Sequence, residues 1–153
     1  LPRDPGTRYS AQMLRVAYEH QDAGRPVYIV TAAAHELAEM LAHVLTFDGG
    51  LGARSEARDG VYTGRLVGDL LHGPAKAEAI LALAEREGLD LARCAAYSDS
   101  FNDLPMLSLV GHPVAINPDS ELRAHARAQG WEIRDYRTGR KAATERGLRQ
   151  IFK

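Results

Sequence analysis

A chain of 153 residues, 45% hydrophobic and 25% charged, has the make-up of one soluble globular domain with a real core. Its formal net charge of −1 supplies no global field that would draw it to nucleic acid or an acidic membrane surface. No apolar run approaches the roughly 20 residues of a membrane span, no charged-then-apolar leader is visible, and the single cysteine, Cys94, suits a reducing cytoplasm.

In chain order, Leu1 to Ser10 holds Pro2, Pro5 and Gly6 without a periodic pattern and reads as a linker or ragged end. From Ala11 the pattern turns helical, with Met13, Leu14, Val16 and Ala17 on one face and Gly24 as the stop. Val27-Tyr28-Ile29-Val30 is a short apolar run suited to a strand buried on both faces of a parallel sheet. Thr31 ends it. An amphipathic helix follows, carrying Glu36, Leu37, Met40, Leu41, Val44 and Leu45. Thr31 either caps that helix or, with the backbone N–H groups beyond it, holds a phosphate. His35 and His43, with no acidic or Cys partner at ligand spacing, read as surface or core-edge residues.

Asp48-Gly49-Gly50 reads as a turn. Segments 52–57 and 61–67 flank Asp59-Gly60, a strong hairpin signal. Gly73-Pro74 opens a helix with a stripe of Ala77, Ile80, Leu81, Leu83 and Ala84, ended by Gly88. Lys76 sits in its first turn, where a cation opposes the helix dipole. It is either solvated, the commoner fate of a lysine, or compensated by something anionic nearby.

Cys94 to Tyr97 is the next apolar strand, and its cysteine reads as a buried, inert thiol. The loop after it carries Asp99 and Asp103 one helical turn apart, with Ser100 and Asn102 between. Ligands of open α/β sheets bind where strands end, and two carboxylates there suit a hard cation. The alternative is that Asp99 or Ser100 caps the helix starting near Asn102. A short helix over 104–110, a strand at Val114-Ala115-Ile116, a helix from Asn117-Pro118-Asp119 to Gly130 and a last strand over 131–133 complete the pattern. The tail 134–153 is basic and reads as a docked helix or, alternatively, a contact with a partner or membrane surface. Alternating strands and helices specify a doubly wound, mostly parallel sheet, here with a β-hairpin insertion.

The segment from Ser98 to Leu107, SDSFNDLPML, resembles the fourth motif of the haloacid dehalogenase superfamily, closest to its phosphoserine-phosphatase-like branch. Val27 to Ala32 resembles the second motif, a strand ending in Thr or Ser; Gly73 to Ala79 resembles the third, centred on a lysine; Gly111 to Pro118 resembles the strand after the fourth. These four pieces occur in the family's order. The resemblance implies a Rossmann-like core, with Asp99 binding Mg²⁺ and Thr31, Ala32 and Asn102 holding phosphoryl oxygens. Lys76 would neutralise charge, and Asp103 would orient Lys76 or the metal's water shell. The implied activity is hydrolysis of a small phosphorylated metabolite through an aspartyl-phosphate.

The chain departs from the family at the first motif, Asp-x-Asp, which supplies the nucleophile and the general acid/base. No Asp-x-Asp occurs here; aligned on Gly6-Thr7, its two positions hold Arg3 and Pro5. Residues 1–153 are therefore expected to form one partial core domain that lacks the first strand and the cap. In the family the first strand lies mid-sheet, and its loss leaves backbone groups unpaired. Completion by a missing N-terminal half or by another copy is expected. The alternative reading is a catalytically dead remnant that binds phosphate or a partner.

Overall fold

The computed structural model describes residues 5–53, 55–66 and 73–136. Helix α1 (Pro5–Asp22) leads into strand β1 (Tyr28–Ala34), helix α2 (His35–Val44) and strand β2 (Gly49–Ala53). A hairpin of β3 (Ser55–Arg58) and β4 (Val61–Leu66) precedes helix α3 (Gly73–Glu87). Strand β5 (Ala95–Ser98), a 3₁₀ turn (Phe101–Asp103), helix α4 (Leu104–Leu107), strand β6 (His112–Ile116), helix α5 (Ser120–Gln129) and strand β7 (Glu132–Arg134) follow.

Strands β1 and β2 pair in parallel, as do β5 with β6 and β6 with β7. Side chains alternate across these strands, which sorts the core into two faces. Ile29 of β1 and Val114 and Ile116 of β6 pack with Met13 and Ala17 of α1 and Ala42 of α2. Val30 turns the other way, onto Ala75, Ala79 and Ile80 of α3. Ala96 and Ala115 pack with α4 and α5 through Met106, Leu107, Leu122 and Ala126. The result is the expected doubly wound α/β arrangement, with α1 and α2 on one face and α3, α4 and α5 on the other.

The parallel strands form two sheets rather than one. Among the described residues β1 pairs only with β2, and β5 only with β6. A cavity of about 720 Å³ separates them, lined by Tyr28 and Val30 on the β1 side and by Ala95 and Tyr97 on the β5 side. Met13 of α1 and Leu83 of α3 close its two faces. The two facing strand edges thus look into a slot of mixed lining, with Met13, Val30 and Leu83 alongside His20, Arg25 and Arg134.

Several expectations are corrected. The first helix starts at Pro5 within the described residues rather than at Ala11; a proline fits the first helical turn, where its missing N–H costs nothing. Strand β1 runs past Thr31 to Ala34, with its ladder to β2 irregular between Val30 and Ala34. Gly49-Gly50 is the start of β2, not a turn. A Cβ on Gly50 would stand 2.3 Å from the Ala38 carbonyl oxygen, so glycine here permits close approach of α2.

That close approach also inverts α2. Ala38 and Ala42 are its buried residues, whereas Leu37, Met40, Leu41 and Val44 are exposed. Small residues face the glycine strand because larger ones would hold the helix off it. Leu81 of α3 is likewise exposed, α4 ends at Leu107, and Cys94 is half-buried just before β5. Burial, and then Asp90, push the Cys94 thiol pKa up, which keeps it inert.

The hairpin forms as expected around Asp59-Gly60, whose φ angles of 52° and 79° give the doubly left-handed turn that favours this pair. Residues 1–4 and the tail from Arg137 onward lie outside the described residues.

Candidate active site

Strand β5 ends at Ser98, and the next five residues build the site. Ser98 Oγ accepts from the Ser100 backbone N–H at 3.1 Å, and Ser100 Oγ accepts from Asn102 N–H at 3.2 Å. Ser100 is thus the cap of the 3₁₀ turn, which realises the capping alternative for that residue but not for Asp99. The turn rotates Asp103 inward, where it is 2% exposed. Lys76 Nζ donates to Asp103 Oδ1 at 2.7 Å, and Ser98 Oγ donates to Asp103 Oδ2 at 2.5 Å.

Lys76 is 1% exposed, so the solvated alternative is excluded. The anion that offsets its unfavourable place at a helix start is Asp103. A buried pair of this kind is held together because removing either charge leaves the other desolvated and uncompensated.

The start of α3 touches both halves of the molecule. Ala75 packs on Val30 of β1, Lys76 reaches Asp103 beyond β5, and Gly73 lies beside the Asn102 carbonyl, 3.7 Å from where a Cβ would stand. Thr31 and Ala32 follow Val30 and are half-buried. Thr31 does not cap α2: Ala34 occupies that position without a side-chain bond, and Thr31 Oγ1 accepts from Ala33 N–H at 3.2 Å. It sits where the β1–β2 ladder is interrupted, a device that re-aims side chains near functional sites. Asn102 is exposed and Asp99 half-buried. The structure therefore joins Lys76 directly to Asp103 and packs Val30 of β1 against Ala75 in the same helical turn.

Two contributing residues were not foreseen. Ser98 was read only as part of a motif, and nothing in a sequence marks a strand-end serine as a carboxylate donor. Asp119 was expected to start a helix, and its Oδ1 does accept from Leu122 N–H at 2.8 Å. Its Oδ2 also accepts from Phe101 N–H at 2.9 Å, and its own N–H donates to the Asp99 carbonyl at 2.9 Å. One residue thereby ties the Asp99 loop to α5.

Among the described residues, no three His, Cys, Asp or Glu side chains cluster as a metal site. His35 does have an acidic neighbour, contrary to expectation, but only one: its Nε2 lies 2.8 Å from Glu39 Oε1. Asp103 is committed to Lys76 and Ser98, and the other carboxylate of the loop is Asp99. That donor fits Mg²⁺, which is bound by one or two carboxylates and keeps several waters, provided that further oxygens come from elsewhere.

Residues 3–108 match the profile of the haloacid dehalogenase-like hydrolases, and the chain belongs to that family. It is 57% identical over 138 residues to a Mycobacterium tuberculosis protein named as a phosphoserine phosphatase, covering 90% of this chain and 43% of that one. The chain thus spans less than half the length of this relative. A crystal structure of a protein of unknown function from Bordetella pertussis superposes with a TM-score of 0.73 at 34% identity, over 80% of this chain and 56% of that one. A phosphoserine phosphatase solved as a phospho-aspartyl intermediate analogue shares the fold, with a TM-score of 0.63 at 23% identity over 81% and 57% of the two chains. No described helix is long and apolar enough to cross a membrane.

Proposed function

We propose that this chain is the C-terminal part of a Mg²⁺-dependent phosphomonoester hydrolase, phosphoserine-phosphatase-like, acting in the cytoplasm on a small phosphorylated metabolite. The observation that carries the reading is Lys76, buried in the first turn of α3 and gripped by Asp103 of the loop that bears Asp99. A buried ammonium aimed from a helix start is suited to phosphoryl oxygens, because phosphoryl transfer rests on positioning and charge compensation.

Thr31, the Ala32 backbone and Asn102 would hold phosphoryl oxygens, Lys76 would neutralise them, and Asp103 would keep Lys76 in place. Mg²⁺ at Asp99 would supply a Lewis acid that offsets charge on the phosphate. A carboxylate oxygen attacks phosphorus, the alkoxide leaves as it takes a proton, and water then cleaves the acyl phosphate.

The attacking aspartate is outside this chain. The slot between β1 and β5 supports that reading, because it presents two strand edges to an incoming extended segment. A strand there would end beside the first turn of α3, where the proposed site lies. The missing N-terminal half is the intended occupant; another copy of the chain is the alternative.

The test is reconstitution. The chain is joined to the part of the mycobacterial relative that it does not match, and Mg²⁺-dependent phosphate release from a generic ester is measured. Release that is abolished by chelation, by Asp99→Asn and by Lys76→Ala is expected, with none from the isolated chain. Turnover by the isolated chain, or full activity in both variants, would overturn the assignment.

A further inference from the structure

We infer that Ser98 is a positioning residue for this site: its hydroxyl locks the Asp103 carboxylate so that Lys76 is held at one aim. The inference rests on the phosphatase reading for its catalytic consequence, and on geometry alone for the locking. Ser98 is wholly buried at the last position of β5. Its oxygen accepts from the Ser100 N–H at 3.1 Å, which leaves its own proton to donate to Asp103 Oδ2 at 2.5 Å. That length is typical of a hydroxyl bound to an ionised carboxylate, among the stronger hydrogen bonds in proteins.

The two carboxylate oxygens are therefore fixed by different partners on different elements. Oδ2 is tied to the end of β5, and Oδ1 receives Lys76 from α3. A carboxylate held at both oxygens has less freedom to rotate than one that has lost the contact at either. Lys76 has three N–H donors on a flexible stem, and Asp103 holds one of them. Asp103 is thus one of the contacts that set the aim of the Lys76 ammonium, and Ser98 is one of those that set the orientation of Asp103. Alanine would fill nearly the same volume at the end of β5, so the hydroxyl rather than the bulk of Ser98 is what the site requires.

A displacement of about 1 Å in a catalytic group can cost on the order of 100-fold in rate. The experiment uses the reconstituted protein with Ser98→Ala, Asp103→Asn and the double variant. Ser98→Ala is expected to lower kcat about tenfold with KM within about twofold, the pattern of an interaction realised in the transition state. In the Asp103→Asn background the same change is expected to move kcat less than about twofold, because residues acting through one another are not additive. Ser98→Cys, with a weak donor of similar size, should fall between serine and alanine.

A second readout needs no turnover: reductive methylation of Lys76, followed by mass spectrometry, should run severalfold faster in Ser98→Ala than in the parent. Full additivity with Asp103→Asn, or unchanged Lys76 reactivity, would overturn the inference. An inactive parent with faster Lys76 methylation in Ser98→Ala would sink the phosphatase reading and leave the locking role supported.

Discussion

Lys76 and Asp103 are 27 residues apart in sequence and 2.7 Å apart in space, and both side chains are almost wholly buried. The contact bridges α3 and the loop after β5, so it acts as a strut as well as part of a proposed site. Charge at this depth is tolerated only in pairs. Lys76→Ala is expected to destabilise the chain by about 3–5 kcal/mol because Asp103 is left uncompensated. The double change Lys76→Met with Asp103→Leu removes both charges and should restore much of that loss. Urea unfolding of the three proteins checks this; a double variant no more stable than Lys76→Ala would count against the strut.

Asp119 couples the Asp99 loop to α5 through four hydrogen bonds, two to its own helix and two to the Asp99–Phe101 segment. Asp119→Ala removes both bonds accepted by the carboxylate. The lost cap should cost about 1 kcal/mol in thermal or urea unfolding. In the reconstituted protein, the Mg²⁺ concentration for half-maximal activity should rise about tenfold, as expected when support behind a ligand is lost. An unchanged Mg²⁺ requirement would separate Asp119 from the proposed metal site and leave it as a cap alone.

Gly50 fixes the distance between β2 and α2. An added Cβ would lie 2.3 Å from the Ala38 carbonyl oxygen, a backbone atom that cannot turn aside. Gly50→Ala should therefore destabilise by about 1–3 kcal/mol, the range for overpacking, whereas Gly60→Ala on the open hairpin turn meets no atom and carries only the strain of its left-handed φ. Chemical denaturation of both variants tests the difference in cause: forcing α2 outward should also raise protease sensitivity near Ala38, and the turn variant should leave that region unchanged.

The same residues explain what could and could not be read from the chain alone. Strand and helix order, the Asp59-Gly60 turn and the Lys76 helix start were legible because local chemistry dictates them. The buried side of α2 was not, because the larger apolar residues suggested the opposite face and only the facing Gly50 reverses the choice. Lys76 was recognisable as a candidate by its place in a motif, but its pairing with Asp103 and Ser98 depends on a tertiary approach across 27 residues. The slot between β1 and β5 was not legible either, since the apolar runs flanking it could be read as strands without revealing which edges stay unpaired among the described residues.

His20 supplies a pH-dependent term on the opposite face from Lys76. Its Nε2 lies 2.6 Å from the Tyr97 hydroxyl and its Nδ1 lies 3.1 Å from Arg25, while the Arg134 guanidinium stands over the Tyr97 ring. Burial, then Arg25 and then Arg134 lower the His20 pKa from 6.5, with Glu19 opposing. The unfolded chain therefore takes up a proton at a higher pH than the folded one does. The stability this group contributes is present above about pH 6.5 and is lost as pH falls through that value towards the depressed folded pKa. The melting temperature should accordingly fall between about pH 7.5 and pH 5.5, and His20→Gln, which cannot charge, should flatten that part of the profile. Parallel profiles for the two proteins would assign the pH dependence to other groups and show that the half-buried imidazole is not what the folded state resists protonating.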